Sequence, residues 1–179
     1  SDEKSVKALF RSIRKDFGRI DCVINNAGLA SMNYAALTSS NEARKIFDTN
    51  FFGTFFVSKE AFKLMKRSQS GTIINISSIH TKFNITGTSI YGASKAAVEQ
   101  FTNVFASETS ESGITVNLLL LSVVENTGMA EALNSEIVEK ILSKSKTGRL
   151  INVGEITEMI LHLNSQEGRS ISGQAFQIG

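Results

Sequence analysis

The segment GTIINISSIHTKFNITGTSIYGASKAAVEQF, residues 71–101, combines a strand pattern with a helix pattern. Thr72 to Ile76 is a short, nearly continuous apolar run, which is typical of a buried strand. Apolar residues then recur at helical spacing from Ser89 to Ser112, and another apolar run follows at Thr115 to Leu121. A strand, a helix and a second strand in this order predict two parallel strands joined by a crossover helix.

The same alternation extends toward both ends of the chain. Ile20 to Ile24 and Gln174 to Ile178 are two further candidate strands. Helical spacing is found in four more segments: Val6 to Phe17, Asn41 to Arg67, Ala130 to Ser145 and Glu155 to Asn164. No repeat or linker divides the sequence. We therefore predict a single α/β domain over residues 1–179, with a parallel sheet covered by helices.

The composition is that of an ordinary globular domain. The 179 residues are 41% hydrophobic and 20% charged, and the net charge of +2 is too small to indicate a surface for nucleic acid or anionic membranes. The lone cysteine, Cys22, favours a reducing compartment. The sequence has neither a signal-peptide start nor an apolar run of about 18 residues. We predict a cytoplasmic protein that binds neither nucleic acid nor membranes.

The two histidines, His80 and His162, are the residues that a metal site would be expected to use. They lie far apart in the sequence, and neither has cysteines or carboxylates clustered nearby. We predict no metal site, and we assign both histidines to surface or capping roles.

Tyr91 and Lys95 are four residues apart in a helical segment, so their side chains share one face. An ammonium about 4 Å from a phenol contributes roughly 4 kcal/mol at an effective dielectric of about 20. That energy lowers the pKa of a tyrosine by about two to three, which makes it a useful proton donor near neutral pH. A pair of this kind also occurs often on an ordinary solvated helix face.

Small polar residues end two neighbouring candidate strands. Ser77 and Ser78 follow one strand, and Asn25-Asn26-Ala27-Gly28 follows another. Ligands bind at the carboxyl ends of the strands in open α/β sheets, so these groups are expected to face one crevice. Taken singly, each motif is equally typical of a turn or of a capped loop.

Together these residues resemble the classical short-chain dehydrogenase/reductase family over nearly the whole chain. Asn25 to Gly28 matches the family's Asn-Asn-Ala-Gly motif, and Asn50 matches its helix asparagine. Ser78, thirteen residues before Tyr91, matches the catalytic serine, and Tyr91 with Lys95 matches Tyr-x-x-x-Lys. The resemblance implies a Rossmann-like, doubly wound, three-layer α/β fold and an NAD(P)-dependent oxidoreductase that acts on a carbonyl or alcohol.

The carboxyl-terminal third is most like the bacterial 3-oxoacyl-carrier-protein reductases. The similar segments are Gly148-Arg149-Leu150, Gly154-Glu155-Ile156 and Ile171-Ser172-Gly173-Gln174. The resemblance therefore implies a small-molecule or acyl-thioester substrate, with a 3-oxoacyl thioester favoured. It implies NADP or NAD as cofactor, with NADP slightly favoured, although the strand end that selects between them is not identifiable in this sequence.

The resemblance also implies roles for the matching residues. Tyr91 would protonate the substrate oxygen, and Ser78 would bind and orient that oxygen. Lys95 would hold the nicotinamide ribose while lowering the pKa of Tyr91. Asn50 would interrupt its helix and connect Lys95 to solvent, which gives the transferred proton a route.

A second set of residues would line the cofactor together with Tyr91 and Lys95: Asn26, Ala27, Gly28, Val124 and Thr127. Two features depart from the family pattern. Leu121-Ser122 stands where the family usually has Pro-Gly. No glycine-rich turn precedes the strand at Ile20 to Ile24, so we expect two strand-helix units of roughly 30 residues each to be missing from the front of this chain.

The predicted helix from Asn41 to Arg67 carries two apolar stripes. Phe47, Phe51 and Phe55 step by four residues, and Phe52 with Phe56 forms a neighbouring stripe. Such a helix can bury one stripe in the core and the other against the next helix of the same chain, or bury the second against another subunit. The second arrangement predicts a homodimer or homotetramer. The same feature supports the competing hypothesis, a non-catalytic scaffold of this family that acts through self-association.

Overall fold

A computed structural model of the chain describes residues 2–131, 133 and 135–179. It contains a sheet of four parallel strands in chain order. The strands are β1 (Cys22–Asn25), β2 (Gly71–Ser78), β3 (Ile114–Leu121) and β4 (Ala175–Ile178). All four predicted strands are confirmed. Ser77 and Ser78 lie inside β2 rather than after it, because they continue to pair with Leu120 and Leu121 of β3.

Helices connect the strands. They are α1 (Glu3–Phe17), α2 (Ser40–Phe47), α3 (Gly53–Met65), α4 (Ser89–Thr109), α5 (Gly128–Glu131), α6 (Ser135–Leu142) and α7 (Val153–Asn164). The prediction of one helix from Ala130 to Ser145 is wrong, since α5 and α6 are separate; part of that range, at 132 and 134, lies outside the described residues. No helix in the described ranges is long and apolar enough to cross a membrane.

The helix ends have local causes in the sequence. The Asp2 carboxylate accepts hydrogen bonds from the backbone N–H groups of Lys4 and Ser5, which caps the start of α1. Gly18 ends that helix in the left-handed conformation, with φ of 75°, where a glycine is favoured. At the start of α7, Asn152 and Glu155 form a reciprocal capping box.

Helices cover both faces of the sheet. On one face, α1, α3 and α4 pack against side chains that include Ile73 and Val116. On the other face, α7 packs against Ile74 and Leu119, with Leu163 fully buried between the layers. Successive strand residues point to opposite faces, so one strand such as β2 contributes to both layers of core. The predicted three-layer, Rossmann-like α/β architecture is confirmed.

A chain of buried hydrogen bonds joins the sheet to α3 and α4. Asn25 Nδ2 donates to Asn75 Oδ1 at 2.7 Å and to Ser58 Oγ at 2.9 Å. Asn75 Nδ2 in turn donates to Thr102 Oγ1 at 2.8 Å. Buried polar groups are costly without partners, and here each one has a partner on the neighbouring element. We call these four residues the interlayer polar chain.

The two predicted phenylalanine stripes contact each other and separate only in part. Phe51 and Phe55 make edge-to-face contacts with Phe101 of α4. Phe52 and Phe56 stack on each other at 6.0 Å between ring centroids, and 41% of Phe52 is exposed. Phe51 therefore packs, half-buried, against the core, whereas Phe52 lies at the surface.

Candidate functional site

A cavity of about 440 Å³ lies at the carboxyl ends of β2 and β3. Eight of the nine predicted site residues line it: Asn26, Ala27, Gly28, Ser78, Tyr91, Lys95, Val124 and Thr127. The ninth, Asn50, is fully buried behind the wall. The predicted crevice is therefore present, because parallel strands end at one edge and the first turns of α4 pack over that edge.

The hydroxyls of Tyr91 and Ser78 meet in this cavity. Tyr91 comes from the first turn of α4, and Ser78 is the last residue of β2. Burial raises the pKa of Tyr91, and a hydrogen bond with the Ser78 side chain opposes that rise in part. The prediction that the pKa of Tyr91 is lowered is therefore wrong for this structure, because desolvation of the phenol is the larger effect.

Lys95 brings a buried cation to the same site. Only 4% of the residue is exposed, and burial lowers the pKa of its ammonium to about 8. Its Nζ donates to the backbone oxygen of Ile76 at 2.8 Å. The ammonium is thus held against β2 by the neutral carbonyl of Ile76. A carbonyl, unlike a carboxylate, does not balance the positive charge of the ammonium.

Asn50 occupies a π-helical segment, Asp48–Phe52, between α2 and α3. Its Oδ1 accepts from the Leu29 N–H at 2.7 Å, while its Nδ2 donates to the Leu29 oxygen and to Ser94 Oγ, both at 2.9 Å. The expected interruption of the helix is therefore present as a π-bulge, a feature that is frequent at functional sites. The role of Asn50 in proton transfer stays a prediction.

Gly28 keeps space open in front of the cation. A Cβ atom at Gly28 would lie 3.4 Å from Lys95 Nζ and 3.6 Å from Asn50 Oδ1. Elsewhere in the cavity lining, Ser122 Oγ is buried without a hydrogen-bond partner among the described residues. The Lys95 ammonium has donors left beside its bond to Ile76. Together with the open face of Gly28 and the unpaired Ser122 hydroxyl it suits the polar groups of a nicotinamide nucleotide, so the residues present fit that group.

Another part of the cavity wall is formed by the residues that come after β3 in the chain. Val124 forms an isolated bridge with Ile151, which fixes the chain as it leaves the sheet. Thr127 Oγ1 donates to the Val124 oxygen at 2.9 Å and accepts from the N–H of Ala130 at 3.3 Å. The Thr127 hydroxyl therefore caps the start of α5 in this structure and still lies in the cavity wall.

Sequence reasoning missed His80 as a site residue. Its Nδ1 lies 2.8 Å from Ser78 Oγ, and its ring meets that of Tyr91 edge-to-face at 5.4 Å and 79°. Burial lowers the pKa of the imidazole. The surface or capping role predicted for His80 is therefore wrong; its position two residues after Ser78, at the strand end, was the available signal.

The cavity also has an apolar rim that the sequence did not reveal. It is formed by Met32, Met129, Ala130 and Leu133, which come from the loop after β1 and from the segment after β3. Within the described part of the chain, no cluster of three or more His, Cys, Asp or Glu side chains is arranged to hold a metal ion.

Comparisons with known proteins agree with this geometry. A family model described as short chain dehydrogenase matches residues 1–138. The chain is 32% identical over 178 residues to 3-oxoacyl-(acyl-carrier-protein) reductase FabG of Vibrio cholerae serotype O1, covering 99% of this chain and 72% of that protein. It is 31% identical to the FabG of Escherichia coli K12 over the same shares of each chain.

A solved structure described as "ElxO with NADP Bound" is also similar. It superposes with a TM-score of 0.89 at 30% sequence identity, covering 99% of this chain and 73% of that one. The predicted resemblance and the predicted enzyme class are confirmed. The chain belongs to the short chain dehydrogenase family, whose members are NAD(P)-dependent oxidoreductases.

Proposed function

We propose that this protein reduces the keto group of a 3-oxoacyl thioester to a hydroxyl group, with NADPH as the electron donor. The observation that carries the proposal is the meeting of Ser78, Tyr91 and Lys95 in one cavity. The similarity to 3-oxoacyl-acyl-carrier-protein reductases supports the substrate class, and the neighbour that binds NADP supports the cofactor.

Two hydroxyls act on the substrate oxygen. Ser78 donates a hydrogen bond to the carbonyl oxygen and orients it, and Tyr91 delivers the proton as negative charge develops there. When bound, the nicotinamide supplies the hydride that adds to the carbonyl carbon. Because burial raises the pKa of Tyr91, the phenol is protonated at neutral pH and is ready to act as the acid in reduction.

The remaining site residues hold the cofactor and return the proton. Lys95 binds the nicotinamide ribose, and its ammonium helps to stabilise the phenolate that Tyr91 leaves behind. Asn26 to Gly28 would hold the adenosine and ribose side of the cofactor, while Val124 and Thr127 would hold its carboxamide side. Asn50 donates to the Leu29 oxygen and to Ser94 Oγ, and so holds the loop after β1 against α4. Lys95 regains its proton from solvent by way of Asn50.

The apolar rim supports an acyl substrate. Met32, Met129 and Leu133 provide apolar surface in the cavity that Ser78 and Tyr91 line, and the methionines are flexible. An acyl chain of several carbons gains hydrophobic contact there, whereas a free sugar would leave the rim unused.

A cofactor titration and a turnover assay test this proposal. We expect NADPH to bind the full-length protein with enhanced reduced-nicotinamide fluorescence, more tightly than NADH does. With acetoacetyl coenzyme A as substrate, we expect NADPH to be consumed. Tyr91→Phe, which removes only the phenol oxygen, should lower kcat by about 10²- to 10⁴-fold while the Kd for NADPH stays within a few-fold of the wild-type value.

Near-normal turnover of Tyr91→Phe would remove Tyr91 from its proposed role. Failure of the intact, folded protein to bind either cofactor would reject the enzyme proposal. It would leave the scaffold alternative, which the exposed Phe52, stacked on the half-buried Phe56, favours. We expect the enzyme itself to be a homodimer or homotetramer whose interface includes Phe52 and Phe56. Size-exclusion chromatography with light scattering measures this oligomeric state. Phe52→Ser should then shift it toward monomer.

A further inference from the structure

His80 lies beside the proposed substrate-orienting hydroxyl, and the roles given above do not use it. The Ser78 side chain hydrogen-bonds with Tyr91, and the Nδ1 of His80 lies 2.8 Å from Ser78 Oγ, closer than the two backbone groups near that oxygen. Those are the backbone N–H of His80 at 3.4 Å and the backbone oxygen of Leu121 at 3.5 Å. The imidazole is therefore the strongest candidate to set the direction of the Ser78 hydroxyl.

The direction of this hydroxyl has chemical consequences. A serine hydroxyl has one hydrogen to donate and two lone pairs to accept with. If Nδ1 of His80 accepts that hydrogen, Ser78 presents only lone pairs to the cavity. A substrate carbonyl oxygen is itself an acceptor, so it would find no hydrogen bond there. If instead Nδ1 carries a hydrogen and donates it, the Ser78 hydrogen is free to point at the carbonyl oxygen.

Packing around His80 holds its ring in place for such a hydrogen bond. The ring meets Tyr91 edge-to-face at 5.4 Å between centroids. Behind it, the His80 backbone is close to α4: a Cβ atom at Gly92 would lie 3.5 Å from the His80 oxygen. Burial also lowers the pKa of the imidazole, so a neutral ring with a single N–H is expected at neutral pH.

We propose that His80 is a positioning residue that donates a hydrogen bond from Nδ1 to Ser78 Oγ and thereby directs the Ser78 hydroxyl hydrogen toward the substrate carbonyl oxygen. This inference rests on the proposed carbonyl reduction, because only an acceptor oxygen in the cavity requires Ser78 to donate. It assigns to His80 a specific tautomer, the neutral ring protonated at Nδ1.

Three substitutions of His80 separate this role from simple packing. His80→Phe keeps an aromatic ring against Tyr91 and removes both nitrogens. His80→Asn places an amide near the position of Nδ1, and His80→Gln places one near the position of Nε2. Loss of an oxyanion donor costs about 10²- to 10³-fold in kcat. Because His80→Phe removes only the orientation of a donor, we expect a smaller loss, roughly 10- to 100-fold.

The expected pattern with acetoacetyl coenzyme A and NADPH is a low kcat for His80→Phe and for His80→Gln, with most of the activity restored in His80→Asn. The Kd for NADPH and the melting temperature should stay close to wild type in all three. His162→Gln, at an exposed position of α7, is the control and should leave kcat unchanged. Wild-type turnover in His80→Phe, or rescue by Gln as complete as that by Asn, would overturn the proposal.

Nitrogen-15 NMR of the imidazole rings gives a test that does not depend on turnover. The chain has two histidines, so His162→Gln assigns the His80 signals. We expect the neutral His80 ring to be protonated at Nδ1; protonation at Nε2 would overturn the proposal. If the wild-type protein reduces no carbonyl with either cofactor, the proposed function fails, and the NMR result still decides which group donates between His80 and Ser78.

Discussion

The two faces of the sheet are built in different ways. On the face covered by α7, the contacts between sheet and helix are apolar, with Ile74, Leu119 and Leu163 fully buried. On the face covered by α3 and α4, the interlayer polar chain runs through the core from Asn25 through Asn75 to Thr102. On the α7 face the buried amide of Asn117 bonds the chain at Ile171 and Gln174, not the helix. Among the described residues, the side-chain hydrogen bonds that join the sheet to a helix lie on the α4 face.

This difference matches the position of the site. Tyr91 and Lys95 belong to α4, whereas Ser78 belongs to β2, so the site requires a fixed relation between that helix and that strand. Apolar contacts exclude water but tolerate small shifts, whereas hydrogen bonds fix distance and angle. We conclude that the α7 face mainly supplies stability, and that the α4 face supplies both stability and the geometry of the site.

The largest expected effect on stability is on the α7 face. Leu119→Ala removes a fully buried side chain from β3 and should cost about 3 to 5 kcal/mol of unfolding free energy, through lost transfer energy and a cavity. Urea denaturation measures this loss. Under conditions in which Leu119→Ala is fully folded, it should keep the wild-type kcat. A large fall in kcat would mean that the α7 face also sets the geometry of the site.

The next effect is on the α4 face. Asn75→Leu leaves the amide of Asn25 and the hydroxyl of Thr102 without one partner each, while each keeps a second partner. At about 1 to 2 kcal/mol per group we expect a loss of about 2 to 4 kcal/mol. Because α4 is then free to shift on β2, kcat should fall as well, by roughly tenfold or more.

The control is Ile74→Val, one residue away on the opposite face of β2. It should cost about 0.5 to 1.5 kcal/mol and leave kcat unchanged. Comparing kcat at temperatures where each variant is fully folded separates geometry from stability. If Asn75→Leu were destabilised but fully active, the proposed division of labour between the two faces would be wrong.

The sequence predicted the strands and most helices because each carries one repeating pattern. Thr72 to Ile76 is a nearly continuous apolar run, buried on both faces, and that pattern is typical of a strand between two helical layers. The site residues also followed, since strand ends and a Tyr-x-x-x-Lys helix start converge by topology. That Asn26, Ser78 and Tyr91 line one cavity could be predicted without any interatomic distance.

What the sequence did not predict depends on short-range three-dimensional contacts. The pKa of Tyr91 is governed by how deeply the phenol is buried, and spacing along a helix contains no information about desolvation. His80 has no spacing motif, and its place beside Ser78 arises from the turn that follows β2. The separation of α5 from α6 likewise leaves no clear break in helical periodicity.

The smallest expected effect concerns the charge that the α4 face buries. The pKa of Lys95 lies at about 8 in the folded protein against 10.5 for an ordinary lysine, so burying its ammonium costs up to about 3 kcal/mol. Lys95→Met removes that cost. We expect the cofactor-free variant to be more stable than wild type by about 1 to 3 kcal/mol at neutral pH, while it loses cofactor binding and turnover.

The pH dependence gives this prediction its sign. Below pH 8 the ammonium is charged in both states, so wild type bears the full cost. Between pH 8 and 10.5 the folded lysine is neutral while the unfolded one still binds a proton, so wild-type stability rises with pH. The advantage of Lys95→Met in urea denaturation should therefore be largest near pH 7 and shrink as the pH rises above 8. If the gain in unfolding free energy is constant across this range, it comes from packing of the methionine. Burial of the Lys95 ammonium would then not destabilise the wild-type protein.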